Sequence, residues 1–158
     1  MLRRAEAPTW AAALVTAGAI WALANLAGCG SATPPEPSHD EVADGRQEIR
    51  ELSLQIRDWR ARGGMEPAPQ SHVIRATHSE SVHALRACPT APETDRCQDV
   101  CALKDAICDN AERICGIARA IGNDPWSAKR CKSAKASCKE ASERCCACIA
   151  DENRRHAP

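Results

Sequence analysis

The chain has 158 residues, with 21 basic and 21 acidic side chains and no net charge, so it carries no electrostatic footprint for nucleic acid. Aromatic residues are only 3%, four Trp with no Tyr or Phe, whereas cysteine occurs eleven times. That composition excludes a large aromatic core, and ten cysteines crowded between Cys88 and Cys148 point instead to one small domain stabilised by disulfides.

The first element in chain order is an address. Arg3 and Arg4 form a positive n-region, and Trp10 to Leu23 is an uncharged, mainly apolar run of 14 residues, shorter than the ~20 that span a bilayer. Leu26-Ala27-Gly28-Cys29 follows that run and resembles the lipobox of bacterial lipoproteins. The resemblance implies that residues 1–28 are a signal peptide removed by cleavage, and that the Cys29 sulfur carries a diacylglyceryl group. It also implies that the freed amino terminus is often acylated by a fatty acid such as palmitate. Two or three acyl chains hold a protein on a membrane where one chain is marginal. The implied location is the cell envelope, and Gly30 in place of Asp after the cysteine implies sorting to the outer membrane, facing the periplasm or the cell surface. Residues 29–37 then comprise the lipidated cysteine and an extended tether, because Ser31 to Pro37 (SATPPEP) is rich in Pro and lacks hydrophobic periodicity.

The domain is expected over 38–158. Ser38-His39-Asp40-Glu41 is a capping box, and Val42, Ile49, Leu52, Ile56 and Trp59 recur at helical spacing, predicting an amphipathic helix to about Arg62 that Gly63-Gly64 closes. Gly45 weakens that stripe at an inward position, which favours packing within the chain over a coiled-coil dimer. Met65 to Ser71 is expected as a linker, and Thr77-His78-Ser79-Glu80 as a second capping box opening a short helix that runs to Cys88-Pro89. Asp95 to Ile121 lacks Pro and holds Gly only at 116, and Gly122 is placed to end that helix. Asp124 and Pro125 supply an N-cap and a first helical residue for a last helix to about Ala150. Two long helices joined by two or three residues fold back as an antiparallel hairpin.

The cysteines specify the register of that hairpin. Cys101, Cys108 and Cys115 on one helix and Cys131, Cys138 and Cys145 on the other both step by seven, so each series forms one stripe. Facing residues of an antiparallel pair share a constant sum of numbers. Cys101 with Cys145, Cys108 with Cys138 and Cys115 with Cys131 all share the sum 246, whose midpoint is Asn123, inside the turn already expected from Gly122 and Pro125. Helices of Cα radius about 2.3 Å with axes about 10 Å apart bring facing Cα atoms to about 5.5 Å, within disulfide range. Ala111, Ala118, Ala134 and Ala141 permit that approach. Cys97 with Cys148 is one residue off the register and makes a fourth rung. Cys146 points about 100° off the seam, and Cys88 is its natural partner, but the spacing alone leaves the pairing of Cys88, Cys97, Cys146 and Cys148 open. With Cys29 consumed by lipid, ten thiols make five bridges. The architecture resembles the disulfide-stapled helical hairpins of plant alpha-hairpinins and of the mitochondrial coiled-coil-helix-coiled-coil-helix proteins, although the Cys-x6-Cys spacing differs from both, and the likeness implies no function.

Val100, Ile107, Ile114 and Ile121, with Leu103 and Ile117, form a second stripe that something must cover. The N-terminal helix is the expected cover, giving an all-α fold, and a partner-binding face is the alternative. Chemistry is sparse. Cys145-Cys146-Ala147-Cys148 contains a Cys-x2-Cys, but no βαβ pattern or second such motif accompanies it. His39, His72, His78, His83 and His156 have no shared helical face, and no phosphate loop or nucleophile elbow occurs, so no enzyme and no resident cofactor are expected. The sequence thus implies a membrane-anchored envelope lipoprotein with a structural or protein-interaction role, and an envelope protein as its partner. Its stacked sulfurs also resemble the cysteine-lined copper storage bundles, so thiolate-bound copper is the alternative.

Overall fold

The structure, a computed structural model, describes residues 36–88 and 94–156. The expected signal, the Cys29 attachment point and most of the tether lie outside the described residues. Five helices and no strand occur among the described residues: α1 (His39–Arg62), α2 (Ser71–Ala76), α3 (Val82–Leu85), α4 (Asp95–Ile121) and α5 (Pro125–His156). None of these helices is long and apolar enough to cross a membrane.

Each long helix starts where its sequence supplies an acceptor for orphan backbone N–H groups. Ser38 Oγ accepts from the Glu41 N–H, and Glu41 Oε2 accepts from the Ser38 N–H at 2.7 Å, which completes the capping box of α1. Thr94 Oγ1 accepts from the Cys97 N–H at the start of α4. Asp124 Oδ2 accepts from the Ser127 N–H at 3.1 Å at the start of α5. At the ends, Gly64 (φ 65°) and Gly122 (φ 78°) take backbone conformations that a Cβ disfavours, so glycine at both positions has a steric cause.

The α4–α5 hairpin is the frame, and α1 lies along it antiparallel to α4. Glu48 pairs with Arg113 and Gln55 accepts from Asn110, so α1 numbers rise as α4 numbers fall. Ile49, Leu52 and Ile56 form one core with Ile107, Ile114 and Ile121, and Val42, Trp59 and Ile117 pack against its margin. The N-terminal helix therefore covers most of the second stripe. Gly45 lets it do so: a Cβ there would stand 2.7 Å from Ile121 Cδ1 and 3.1 Å from Ile117 Cγ2. The absent side chain permits close approach.

The region between α1 and α4 differs from the sequence expectation. Ser71–Ala76 is helical, and Thr77 closes that helix instead of opening the next, its Oγ1 donating to the Val73 carbonyl at 2.9 Å. Ser81 is the N-cap of α3, accepting from the Ala84 N–H. Tertiary burial decides the role of Thr77, which is 1% exposed, because a buried hydroxyl needs a partner and the carbonyl four residues back is the nearest. Val82 and Leu85 then drop into the main core.

Arg60 is also buried, at 1% exposure, one residue beyond the apolar stripe. Its Nε donates to the Glu66 carbonyl at 2.8 Å and its Nη2 to Glu140 Oε2 at 2.6 Å, while Glu140 Oε1 accepts from the Gln70 N–H. One ion pair thus joins α1, the 63–70 linker and α5.

Candidate functional site

The cysteines form five bridges: Cys88–Cys146, Cys97–Cys148, Cys101–Cys145, Cys108–Cys138 and Cys115–Cys131. The last three are the pairs that the constant-sum register specifies, and the first two settle a pairing of Cys88, Cys97, Cys146 and Cys148 that the spacing left open. The three seam rungs bring their Cα atoms to 4.9, 4.7 and 4.7 Å, closer than the two wider bridges at 5.4 and 5.7 Å. Buried Ala111, Ala118, Ala134 and Ala141 line this approach and add no bulk. The Cys-x2-Cys motif is split, since Cys145 and Cys148 belong to different bridges on α4.

The bridges differ in their surroundings. Cys108 and Cys138 are fully buried in the main core. The other end of the hairpin gathers three bridges within a few residues, and Cys88 Sγ lies 3.8 Å from Cys145 Sγ in the neighbouring bridge. α1 ends before reaching this region. Arg144 donates to the carbonyls of Gly63 and Gly64, fixing the C-terminus of α1 against the middle of α5, where a cation also complements the helix dipole. Val100 and Leu103, at the far end of the second stripe, are left only partly buried.

Beyond that end lies a cleft of about 640 Å³. Val100, Leu103 and Met65 give it an apolar floor, and the Cys97–Cys148 bridge forms part of its wall. Its polar lining holds five cations, Arg96, Lys104, Arg144, Arg154 and Arg155, against two carboxylates, Asp151 and Glu152. Asp151 accepts from Arg154 at 2.6 Å and from Arg155 at 3.1 Å, and these hydrogen bonds hold its carboxyl below the usual aspartate range. Glu152 is different: its Oε2 is buried without a hydrogen-bond partner.

Glu152 also completes the one group of three metal-capable side chains found among the described residues. A carboxylate oxygen of Glu152 and the sulfurs of Cys97 and Cys148 all lie within 4.8 Å of one another. As a bridge, those sulfurs are not thiolate ligands. His39, His72, His78 and His83 are exposed or on separate elements and join no such group.

The sequence held a signal for this site that periodicity alone passes over. Cys148 and Glu152 are four residues apart, and so are Cys97 and Cys101, so α5 presents a sulfur and a carboxylate on one face where α4 presents two sulfurs. Only the end of α1 at Arg62 determines that this face stays open.

A second cluster occupies the turn end. Arg46 forms a bidentate pair with Asp124 at 2.5 and 3.1 Å, and the Ser127 hydroxyl and N–H donate to the same carboxylate. The Arg46 hydrogen bonds, then those of Ser127, hold the Asp124 carboxyl far below its ordinary range. Arg46, Arg50 and Arg130 surround the Trp126 ring at 6.0, 5.8 and 5.2 Å from its centroid. This cluster locks the hairpin turn to α1. No protein-family model, curated protein or solved structure matches the chain.

Proposed function

We propose that this chain is a lipid-anchored protein of the bacterial cell envelope, with Cys29 as its attachment point and the disulfide-stapled bundle as a structural or protein-interaction module held off the membrane by the 30–37 tether. The observation that carries this reading is the distribution of sulfur. Ten of the eleven cysteines are paired in bridges, and the one left over is the cysteine of the lipobox. Five bridges in one small domain suit an oxidising compartment, which an exported protein reaches and a cytosolic one does not. The neutral charge balance favours a protein partner over nucleic acid. Thiolate-bound copper is the alternative, and a fully bridged ladder weighs against it because a disulfide sulfur is a poor ligand for Cu(I).

The test is an intact mass of the protein extracted from membranes of a bacterial expression host, with free thiols counted before and after reduction. The expected mass is that of Cys29–Pro158 with acyl chains added, and no free thiol before reduction. Cys29→Ser is expected to release the protein from the membrane fraction. An uncut, unacylated chain would overturn the anchor, and many free thiols with copper bound would favour the metal carrier.

A further inference from the structure

The Cys97–Cys148 bridge stands apart from the other four because it faces a cleft and has a carboxylate beside it. Both half-cystines line the cleft, but Cys97 is fully buried whereas Cys148 is partly exposed. The Glu152 carboxylate lies within 4.8 Å of both sulfurs, and its Oε2 has no hydrogen-bond partner although it is buried. A buried acceptor left unpaired costs stability unless a group arrives to use it. Cleft, accessible sulfur and idle proton acceptor occur together nowhere else among the described residues. The Cys88–Cys146 bridge is the more exposed, with both half-cystines partly exposed, but its sulfurs meet only backbone carbonyls and the neighbouring bridge.

We infer that Cys97–Cys148 is a thiol–disulfide exchange site, with Glu152 as its proton acceptor and a small anionic thiol as its substrate. An incoming thiol gives its proton to Glu152 as its sulfur attacks Cys148 Sγ. The Cys148–Cys97 bond breaks, a mixed disulfide forms on Cys148, and the leaving Cys97 sulfur takes the proton back from Glu152. A second molecule of the same thiol attacks the substrate sulfur of the mixed disulfide, releasing Cys148 as a thiol and the substrate as its own disulfide. The protein bridge is thereby reduced by two electrons and two thiols are oxidised. Attack falls on Cys148 because exchange needs access to the sulfur, and Cys97 is the leaving group because it is covered. The substrate is anionic because five cations line the cleft against two acids, a bias that the neutral chain as a whole lacks. Its size is limited by the 640 Å³ of the cleft.

The inference goes beyond the anchoring role and rests on the bridges alone, so a wrong reading of the anchor would appear in the lipid mass and leave this test intact. The native chain is exposed to reduced glutathione, and opened cysteines are identified by alkylation and mass spectrometry over time, with opening of Cys88–Cys146 as the internal reference. The expected result is a mixed disulfide on Cys148 and not on Cys97. In Glu152→Gln, which keeps the shape and removes the proton acceptor, the Cys97–Cys148 pair is expected to open at least about tenfold more slowly while Cys88–Cys146 is unchanged. A second measurement needs no variant: relative to the reference bridge, anionic glutathione is expected to open Cys97–Cys148 several times faster than cationic cysteamine. Equal slowing of both bridges by Glu152→Gln, adduct formation on Cys97, or no preference between the two thiols would each overturn the inference and leave a purely structural bridge.

Discussion

Gly45 illustrates how one position reads differently before and after packing is known. Within the helix it loses about 1 kcal/mol of propensity relative to Ala, and in an apolar stripe it looks like a defect. The structure turns it into the point where α1 meets Ile117 and Ile121, with no space for a branched side chain. Gly45→Val is expected to cost about 1–3 kcal/mol by overpacking, read from the denaturant midpoint under oxidising conditions. Gly45→Ala is the control. Its single Cβ would meet the end of the flexible Ile121 side chain, and the regained propensity offsets the contact to within about 1 kcal/mol. Asp124 makes a pH-dependent contribution instead. Its folded carboxyl titrates far below the ordinary aspartate value of about 3.9 because Arg46 and Ser127 hydrogen-bond its charged form. The unfolded chain therefore binds more protons in that window. Stability from this group is complete above the ordinary value and declines as pH falls from about 4 towards the depressed folded value. Asp124→Asn is expected to be less stable than wild type at pH 7, with the gap closing below pH ~4, as followed by denaturant midpoints across that range.

At the scale of elements, the hairpin was legible because two independent patterns had to agree. The Gly122, Asp124 and Pro125 signals locate the turn by backbone chemistry, and the two seven-step cysteine series locate it by geometry. The short helices were not legible in the same way. Six residues from Ser71 and four from Val82 are too few to show a period, and Thr77 offers a hydroxyl usable at either end of a helix. Its burial made the choice, and burial is not a local property. Within the ladder, Cys108–Cys138 spans 30 residues, a loop worth about 3–4 kcal/mol if it stood alone in the chain-entropy account. The flanking rungs already confine the same segment in the denatured chain. Replacing both Cys108 and Cys138 with Ala is therefore expected to cost about 2 kcal/mol, with helicity by circular dichroism retained and the loss seen in the denaturant midpoint. A loss as large as that of the isolated loop would mean that the rungs act independently.

For the whole molecule, the sulfurs and the helices share the work that aromatic side chains do elsewhere. The core is made of Ile, Leu, Val, Ala and half-cystines, with Trp59 and Trp126 only at its margin. Such side chains bury little area each at roughly 25 cal/mol per Å², and constraint of the denatured chain supplements that burial. Arg60 is the largest fully buried side chain, and nothing in the α1 periodicity sets it apart from its charged neighbours. It is buried because Glu140, eighty residues away on α5, and the Glu66 carbonyl of the following linker converge on it. By itself the sequence determined the three long helices, the turn and the three seam rungs, since periodicity, caps and equal spacing are local or arithmetical properties of one chain. Where α1 sits along the hairpin, and hence that Cys97, Cys148 and Glu152 line an open cleft, was decided only in three dimensions. It depends on the register between one helix and two others, which no single segment encodes.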